Sequence, residues 1–331
     1  MHARRHLLSR LSRLCACLAG PGLLLMASAA PGTTWAQAGA PALRIVVATP
    51  AGGASDTAAR LLAQSLAKLQ GRQVIVDNRP GGNGVPAVQS VLSAAPDGQT
   101  LLWAQASMAG MPMLVKSAPV KSLAEFVPVS LVVNLVYGVM VNSKVPASSV
   151  AELSAHLKAR PGALSYGTGV LIEYMVTEHF LRASGAKALR VPYKGGAQLM
   201  PDLISGEIQF NIGPLAPALP HVRSGKLRLL ATLPDRVDAA PGVPTLAESG
   251  ISTEGLPTWN GLIAPPGTPR EVAERLAVDV NKALADPGLR SAMEAQGLHV
   301  NGGTPQQMSA AIEAAAATWR QFIRDYDIPQ E

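Results

Sequence analysis

The segment Pro50-Ala51-Gly52-Gly53-Ala54-Ser55-Asp56 sets two glycines, a hydroxyl and a carboxylate directly ahead of a helical pattern. A turn of this kind leaves backbone N–H groups at a positive helix end, which is the chemistry that holds a small anion such as a carboxylate. Ser55 or Asp56 is able to cap the helix that follows. Packing alone also produces strand–glycine–helix units in α/β proteins, so the pattern leaves a ligand role and a structural role both open. Other chemistry is sparse. The chain holds no G-x-S-x-G elbow, no H-E-x-x-H, no Walker loop and no G-x-G-x-x-G. His156, His179, His221 and His299 show no metal-ligand spacing, and His156 and His179 fall in helical patterns as solvated or core-edge side chains. Glu173 and Glu178 read as surface charges, and Asp56 as a cap rather than a base. No catalytic residue, metal site or cofactor is assigned.

The elements that position the loop follow from periodicity. Ile45 to Val47 reads as a buried strand, broken at Pro50, and from Ala58 onward Leu61, Leu62, Leu66 and Leu69 recur at helical spacing. Strand-like runs then come at Val74–Val76, Thr100–Ala104, Tyr137–Val141, Leu164–Tyr166, Leu189–Val191, Ile208–Ile212 and Leu227–Ala231. Helical or loop sequence separates them. Ser149-Val150-Ala151-Glu152 is a capping box, one helix ends near Gly185, and Thr268-Pro269-Arg270-Glu271 and Thr304-Pro305-Gln306-Gln307 start the last helices. The alternation predicts α/β architecture with mostly parallel sheets. Pro234 to Pro257 is rich in Pro and Gly and is expected to carry the chain between domains.

The N-terminus is expected to be a leader rather than fold. Arg4, Arg5, Arg10 and Arg13 form a basic n-region, Leu14 to Met26 is mostly apolar, and Ala36-Gln37-Ala38 is a cleavage site, with Ala27-Ser28-Ala29 as a second candidate. Gly20, Pro21 and Gly22 interrupt an apolar run already short for a membrane anchor. Cys15 and Cys17, the two cysteines of the chain, both lie in this segment, so disulfides and thiol chemistry are excluded from the rest. An exported chain without disulfides suits a bacterial periplasm. The formal charge of +6 comes from 28 Lys+Arg against 22 Asp+Glu. Without the four leader arginines the balance is 24 against 22, too even to argue for nucleic acid. Few aromatics and no basic–aromatic interleaving point the same way.

Taken in order, several segments resemble the extracytoplasmic solute receptors of tripartite tricarboxylate transporters, the Bug receptors. They are Pro50-Ala51-Gly52-Gly53-Ala54-Ser55-Asp56-Thr57-Ala58-Ala59-Arg60, Asn78-Arg79-Pro80-Gly81-Gly82-Asn83-Gly84, Pro96-Asp97-Gly98-Gln99-Thr100-Leu101-Leu102 and Val191-Pro192-Tyr193-Lys194-Gly195. Ala218-Leu219-Pro220-His221, Gly225-Lys226-Leu227-Arg228, Val243-Pro244-Thr245-Leu246-Ala247-Glu248-Ser249-Gly250 and Trp259-Asn260-Gly261-Leu262-Ile263-Ala264-Pro265-Pro266-Gly267-Thr268-Pro269 continue the series. The resemblance implies a two-domain periplasmic-binding-protein (flytrap) fold with helices on both sheet faces. It places a leader at 1–38, a first domain at 39–139 plus 259–331, and a second at 140–258. It also implies a monomer that captures a small carboxylate and presents it to membrane transporter subunits, without nucleic acid or cofactor. The ligand is expected to meet Thr49, Ala51, Gly52, Gly53, Ala54 and Ser55, then Gln105, Ala106 and Ser107, and in the second domain Thr168, Gly169 and Gly213. Backbone N–H groups at Gly52 and Gly53, with the Ser55 and Thr168 hydroxyls, are the expected donors.

Two departures touch specificity. The second-domain loop, Tyr166-Gly167-Thr168-Gly169-Val170-Leu171-Ile172-Glu173, is shorter than its counterparts and has Leu171 and Ile172 where they carry polar donors. After the later strand, Ile212-Gly213-Pro214 stands where many relatives have Phe-Asp-Asn. Both swaps predict a smaller or more apolar ligand than a tricarboxylate. The rival readings are a partner for a periplasmic sensor domain and an exported enzyme on the same fold.

Overall fold

The computed structural model describes residues 41–326, 328 and 330; the expected leader and its cleavage sites lie outside the described residues. In the first third, Leu43–Val47 (β1) leads into Ala54–Gln70 (α1), followed by Val74–Asn78 (β2), Val85–Leu92 (α2), Thr100–Gln105 (β3), Met111–Leu114 (α3) and Val127–Leu135 (β4). The middle holds Tyr137–Asn142 (β5), Val150–Ala159 (α4), Ser165–Thr168 (β6), Leu171–Ser184 (α5), Leu189–Pro192 (β7), Gly196–Ser205 (α6), Phe210–Pro214 (β8), Leu219–Arg223 (α7) and Leu227–Leu233 (β9). The chain then ends with Trp259–Ala264 (β10), Arg270–Leu284 (α8), Pro287–Glu294 (α9), Leu298–Val300 (β11) and Pro305–Tyr326 (α10).

These strands form two sheets, ordered β11-β4-β10-β3-β1-β2 and β7-β6-β8-β5-β9, and each is the floor of one lobe. The βαβ runs make the parallel part: β1 pairs with β2 and β3, and β6 with β7 and β8. The remaining pairings are antiparallel, because β4, β5, β9 and β10 run into or out of the other lobe and enter against the local direction. The sheets are therefore mixed, where alternation alone predicts mostly parallel ones. Val136 is the single residue between β4 of the first sheet and β5 of the second, and residues 234–258 carry the return. Trp103, Trp319, Tyr166, Phe180 and Phe210 anchor the core, each at or below 1% exposure. Burial of side chains this size stabilises by about 1.5–3 kcal/mol each.

Local signals explain most helix ends. Ser149 Oγ accepts the Glu152 N–H at 3.1 Å, while Glu152 reaches the Ser148 N–H rather than that of Ser149. Thr304 and Gln307 complete a reciprocal box, and α5 stops at left-handed Gly185. Two expectations are corrected. α1 begins at Ala54 with Gly53 as its N-cap, so neither Ser55 nor Asp56 holds that position. α8 begins at Arg270 after Pro269, and the Thr268 hydroxyl donates to the Pro265 carbonyl instead. No helix of the described residues is long and apolar enough to cross a membrane.

Candidate functional site

Asp56 organises the loop after β1. It lies in the first turn of α1, 3% exposed, and its Oδ2 accepts the Gly52 N–H at 2.9 Å and the Arg60 Nε–H at 3.0 Å. Its Oδ1 accepts from Asn78 Nδ2 at 2.9 Å, and that amide also donates to the Thr49 carbonyl at 3.0 Å. Burial works to raise the carboxyl's pKa; the Arg60 guanidinium, the Gly52 N–H and the Asn78 amide outweigh it and hold the group below the ordinary carboxylate value. The expected ligand donor at Gly52 is thus engaged internally, and Ala51 and Gly52 are exposed outside the cleft.

One residue further on, Ser55 belongs to a buried amide network. Gln105 Nε2 donates to Ser55 Oγ at 2.6 Å, and Ser55 Oγ donates to Asn260 Oδ1 at 3.0 Å. Trp103 Nε1 donates to the same Asn260 oxygen at 2.9 Å. Two strands, β3 and β10, and the start of α1 are locked together here. Nothing in the local sequence announces it, since Asn260 lies 205 residues from Ser55.

The second lobe faces this region with the β6–α5 junction. Glu173, expected on the surface, is 2% exposed: its carboxylate accepts the Gly169 N–H and is also bonded by the Val170 N–H and the Asn211 side chain. Burial pushes the Glu173 carboxyl up to about 7 against the pull of those donors. Asn211 Nδ2 also donates to the Gly167 carbonyl at 2.9 Å. The Asn211 carboxamide fills the space a side chain at Gly213 would need, so Gly213 stays inside the β5–β8 ladder and does not reach the cleft. Glu178, also expected on the surface, is half-buried and accepts the Tyr166 hydroxyl at 2.5 Å.

Two cavities lie between the lobes. The larger, about 160 Å³, is lined by Ala48, Gly81–Gly84, Gln105, Ser107 and Met108 on one side and by Thr168–Leu171, Arg190 and Pro192–Lys194 on the other. Arg190 donates through Nε to Thr168 Oγ1 at 3.1 Å and lies over the Tyr174 ring, 4.0 Å from its centroid. The Gly81–Gly84 turn has positive φ at every residue, 98°, 53°, 51° and 94°, a path that favours Gly and Asn and lets main chain approach the cavity closely. A second space of about 30 Å³ is lined by Thr49, Gly53, Ala54, Ser55, Gln105, Tyr137, Glu173 and Asn211 among others. Thr49 Oγ1 is buried there without a hydrogen-bond partner.

Of the residues singled out by sequence, Gln105, Ser107, Thr168 and Gly169 line the larger cavity, and Thr49, Gly53, Ala54, Ser55 and Gln105 the smaller. Ala51, Gly52, Ala106 and Gly213 line neither; the Ala106 carbonyl instead accepts from Trp319 Nε1 at 3.2 Å. Sequence reasoning missed the Gly81–Gly84 turn, Arg190, Lys194 and Glu173. The first and third lay inside quoted motifs, Asn78–Gly84 and Val191–Gly195, whose runs of Gly beside a cation were the available signal.

Two α/β lobes joined by crossing strands, with a polar cavity between them, define a two-domain periplasmic binding protein. Residues 58–328 match the tripartite tricarboxylate transporter family receptor, and the chain belongs to that family of solute-binding receptors. Protein BugT of Bordetella pertussis is 34% identical over 288 residues, covering 86% of this chain and 88% of that one. The structure of the periplasmic binding protein BugD superposes with a TM-score of 0.81 at 27% identity, covering 88% of this chain and 99% of that one. R. palustris Rpa4515, solved with adipate, gives a TM-score of 0.82 at 29% identity over 87% of this chain and 98% of that one.

Proposed function

We propose that the protein is an exported, monomeric receptor that captures a small organic acid between its lobes and presents it to the membrane subunits of a tripartite transporter. The lobes correspond to 39–139 plus 259–331 and to 140–258. The observation that carries the ligand class is the larger cavity, where Arg190 and Lys194 face the glycine turn at 81–84. A guanidinium, an ammonium and closely approaching backbone are the groups that recognise a carboxylate. Rpa4515, a relative of known structure, was solved with a carboxylate, adipate. A cavity of about 160 Å³ suits a ligand of few heavy atoms.

Binding proceeds without bond making. A serine nucleophile needs a base, and the Ser55 hydroxyl is tied to the amides of Gln105 and Asn260. Ser107 and the Gly169 and Thr168 region then shape the ligand's surroundings. Native mass spectrometry of the purified receptor, followed by denaturation and identification of the released molecule, tests the reading. A released carboxylate supports it. A thermal-shift panel in which no organic acid raises the melting temperature overturns it.

A further inference from the structure

The donors at the start of α5 converge on the protein's own acid. The Gly169 and Val170 N–H groups and the Asn211 side chain all bond the Glu173 carboxyl, which is 2% exposed and lines the space between the lobes. A ligand carboxylate arriving at this end finds those donors engaged, and it meets a second carboxyl within the same small volume. Around β7, Arg190 and Lys194 line the larger cavity, with Arg190 Nε held by the Thr168 hydroxyl. The rest of that wall mixes apolar Ala48, Met108, Val170, Leu171 and Pro192 with polar Asn83, Gln105, Ser107 and Tyr193. Glu173 itself lines the smaller space, which shares Gln105 and Val170 with the larger cavity, and the Gly169 N–H that it holds belongs to the larger cavity's wall.

From this juxtaposition we infer that Glu173 is a specificity-determining residue that restricts the receptor to compact monocarboxylic acids and excludes dicarboxylates. The inference rests on the carboxylate reading of the cavity and narrows it. Glu173 acts by occupancy. It takes the hydrogen-bond donors that a second ligand carboxylate requires, and a buried acid group without such donors is strongly disfavoured.

Calorimetric titration of the purified receptor with two matched pairs, butanoate against succinate and hexanoate against adipate, tests it. In the wild type the monoacid of at least one pair binds about tenfold or more tightly than the diacid of equal length. Glu173→Ala releases the Gly169 and Val170 N–H groups, and the ratio of affinities moves about tenfold toward the diacid. Should Glu173→Ala fail to fold, as judged by its melting transition, Glu173→Ser, whose shorter side chain no longer reaches the Gly169 N–H, shifts the same ratio in the same direction. Equal binding of monoacid and diacid to the wild type, or an unmoved ratio in a folded variant, overturns the inference while leaving the carboxylate reading intact. If none of the four acids binds, nor any of a wider carboxylate panel, the carboxylate reading itself falls and this inference with it.

Discussion

Pro50 of the first lobe and Gly195 of the second stand against each other between the lobes, so near that a β-carbon on Gly195 would lie 2.5 Å from Pro50 Cδ. No L side chain fits that gap without moving one lobe. The loop after β1 and the start of α6 thus meet in this conformation, and the contact depends on a missing side chain.

Gly195→Ala is expected to weaken ligand binding by about tenfold, equivalent to about 1.4 kcal/mol. The methyl group opposes the arrangement in which the lobes touch, and at φ 159°, ψ 166° it also strains the second lobe's own backbone ahead of α6. The melting temperature without ligand should therefore fall by a few degrees. Calorimetry with the identified ligand, together with a thermal melt, checks the pair of outcomes; a large loss of stability with normal affinity contradicts it.

Glu173 makes stability depend on pH. Its carboxyl is raised from 4.5 in an ordinary setting to about 7 in the fold, chiefly by burial. Between these values the unfolded chain releases the proton and the folded chain keeps it, so stability falls as pH rises through the window and levels off above it. The full effect is about 3 kcal/mol at roughly 1.4 kcal/mol per unit. Glu173→Gln removes it. Comparing chemical denaturation of variant and wild type at pH 4 and pH 8, the variant should gain on the wild type by about 2–3 kcal/mol; parallel curves would refute the assignment.

Asp56 has the opposite sign. Its depressed pKa contributes stability that is present above the ordinary value of 3.8 and is lost as pH falls through the folded value. Asp56→Ala strips partners from Gly52, Asn78 and Arg60 and is expected to cost about 2 kcal/mol at neutral pH. Urea denaturation at pH 7 measures this directly, and a change below about 0.5 kcal/mol, the size of an ordinary surface substitution, would show the loop is held by other means.

Arg190→Ala should lower affinity for the bound acid by about ten- to a hundredfold, the range of a charge-assisted hydrogen bond. The wild type should also lose more affinity than the variant as ionic strength rises. Titrations at low and high salt separate the two, and equal salt slopes would remove Arg190 from the anion's surroundings.

Much of the architecture was legible because it rests on local rules. The β-branched runs, the Thr304 box and the Gly185 stop depend on neighbours within a few residues. Local rules fail where partners are distant. The first-turn acid Glu173 is buried because Asn211 and the β6 loop close over it, and Ser55 is a network member because Gln105 and Asn260 arrive from other strands. The antiparallel entries of β4 and β10 were hidden for the same reason, since direction is set by the lobe a strand comes from. Motif order found the loops that face the cavity, but it did not distinguish N–H groups already engaged by the fold from those facing open space.

Val136 lies between the lobes and is bonded to both. Its N–H donates to the Gly297 carbonyl at 3.4 Å, beside β11, while its own carbonyl accepts the Leu215 N–H at 2.9 Å, just beyond β8. Any change in the angle between the sheets passes through the torsions around this residue and through the return along 234–258, whose last residue, Thr258, accepts the Leu135 N–H at 3.0 Å. Together they form the fulcrum. Pro50 and Gly196 line the same small space as Leu135 and Tyr137, so the contact between the lobes sits beside this crossing and feels any twist in it directly.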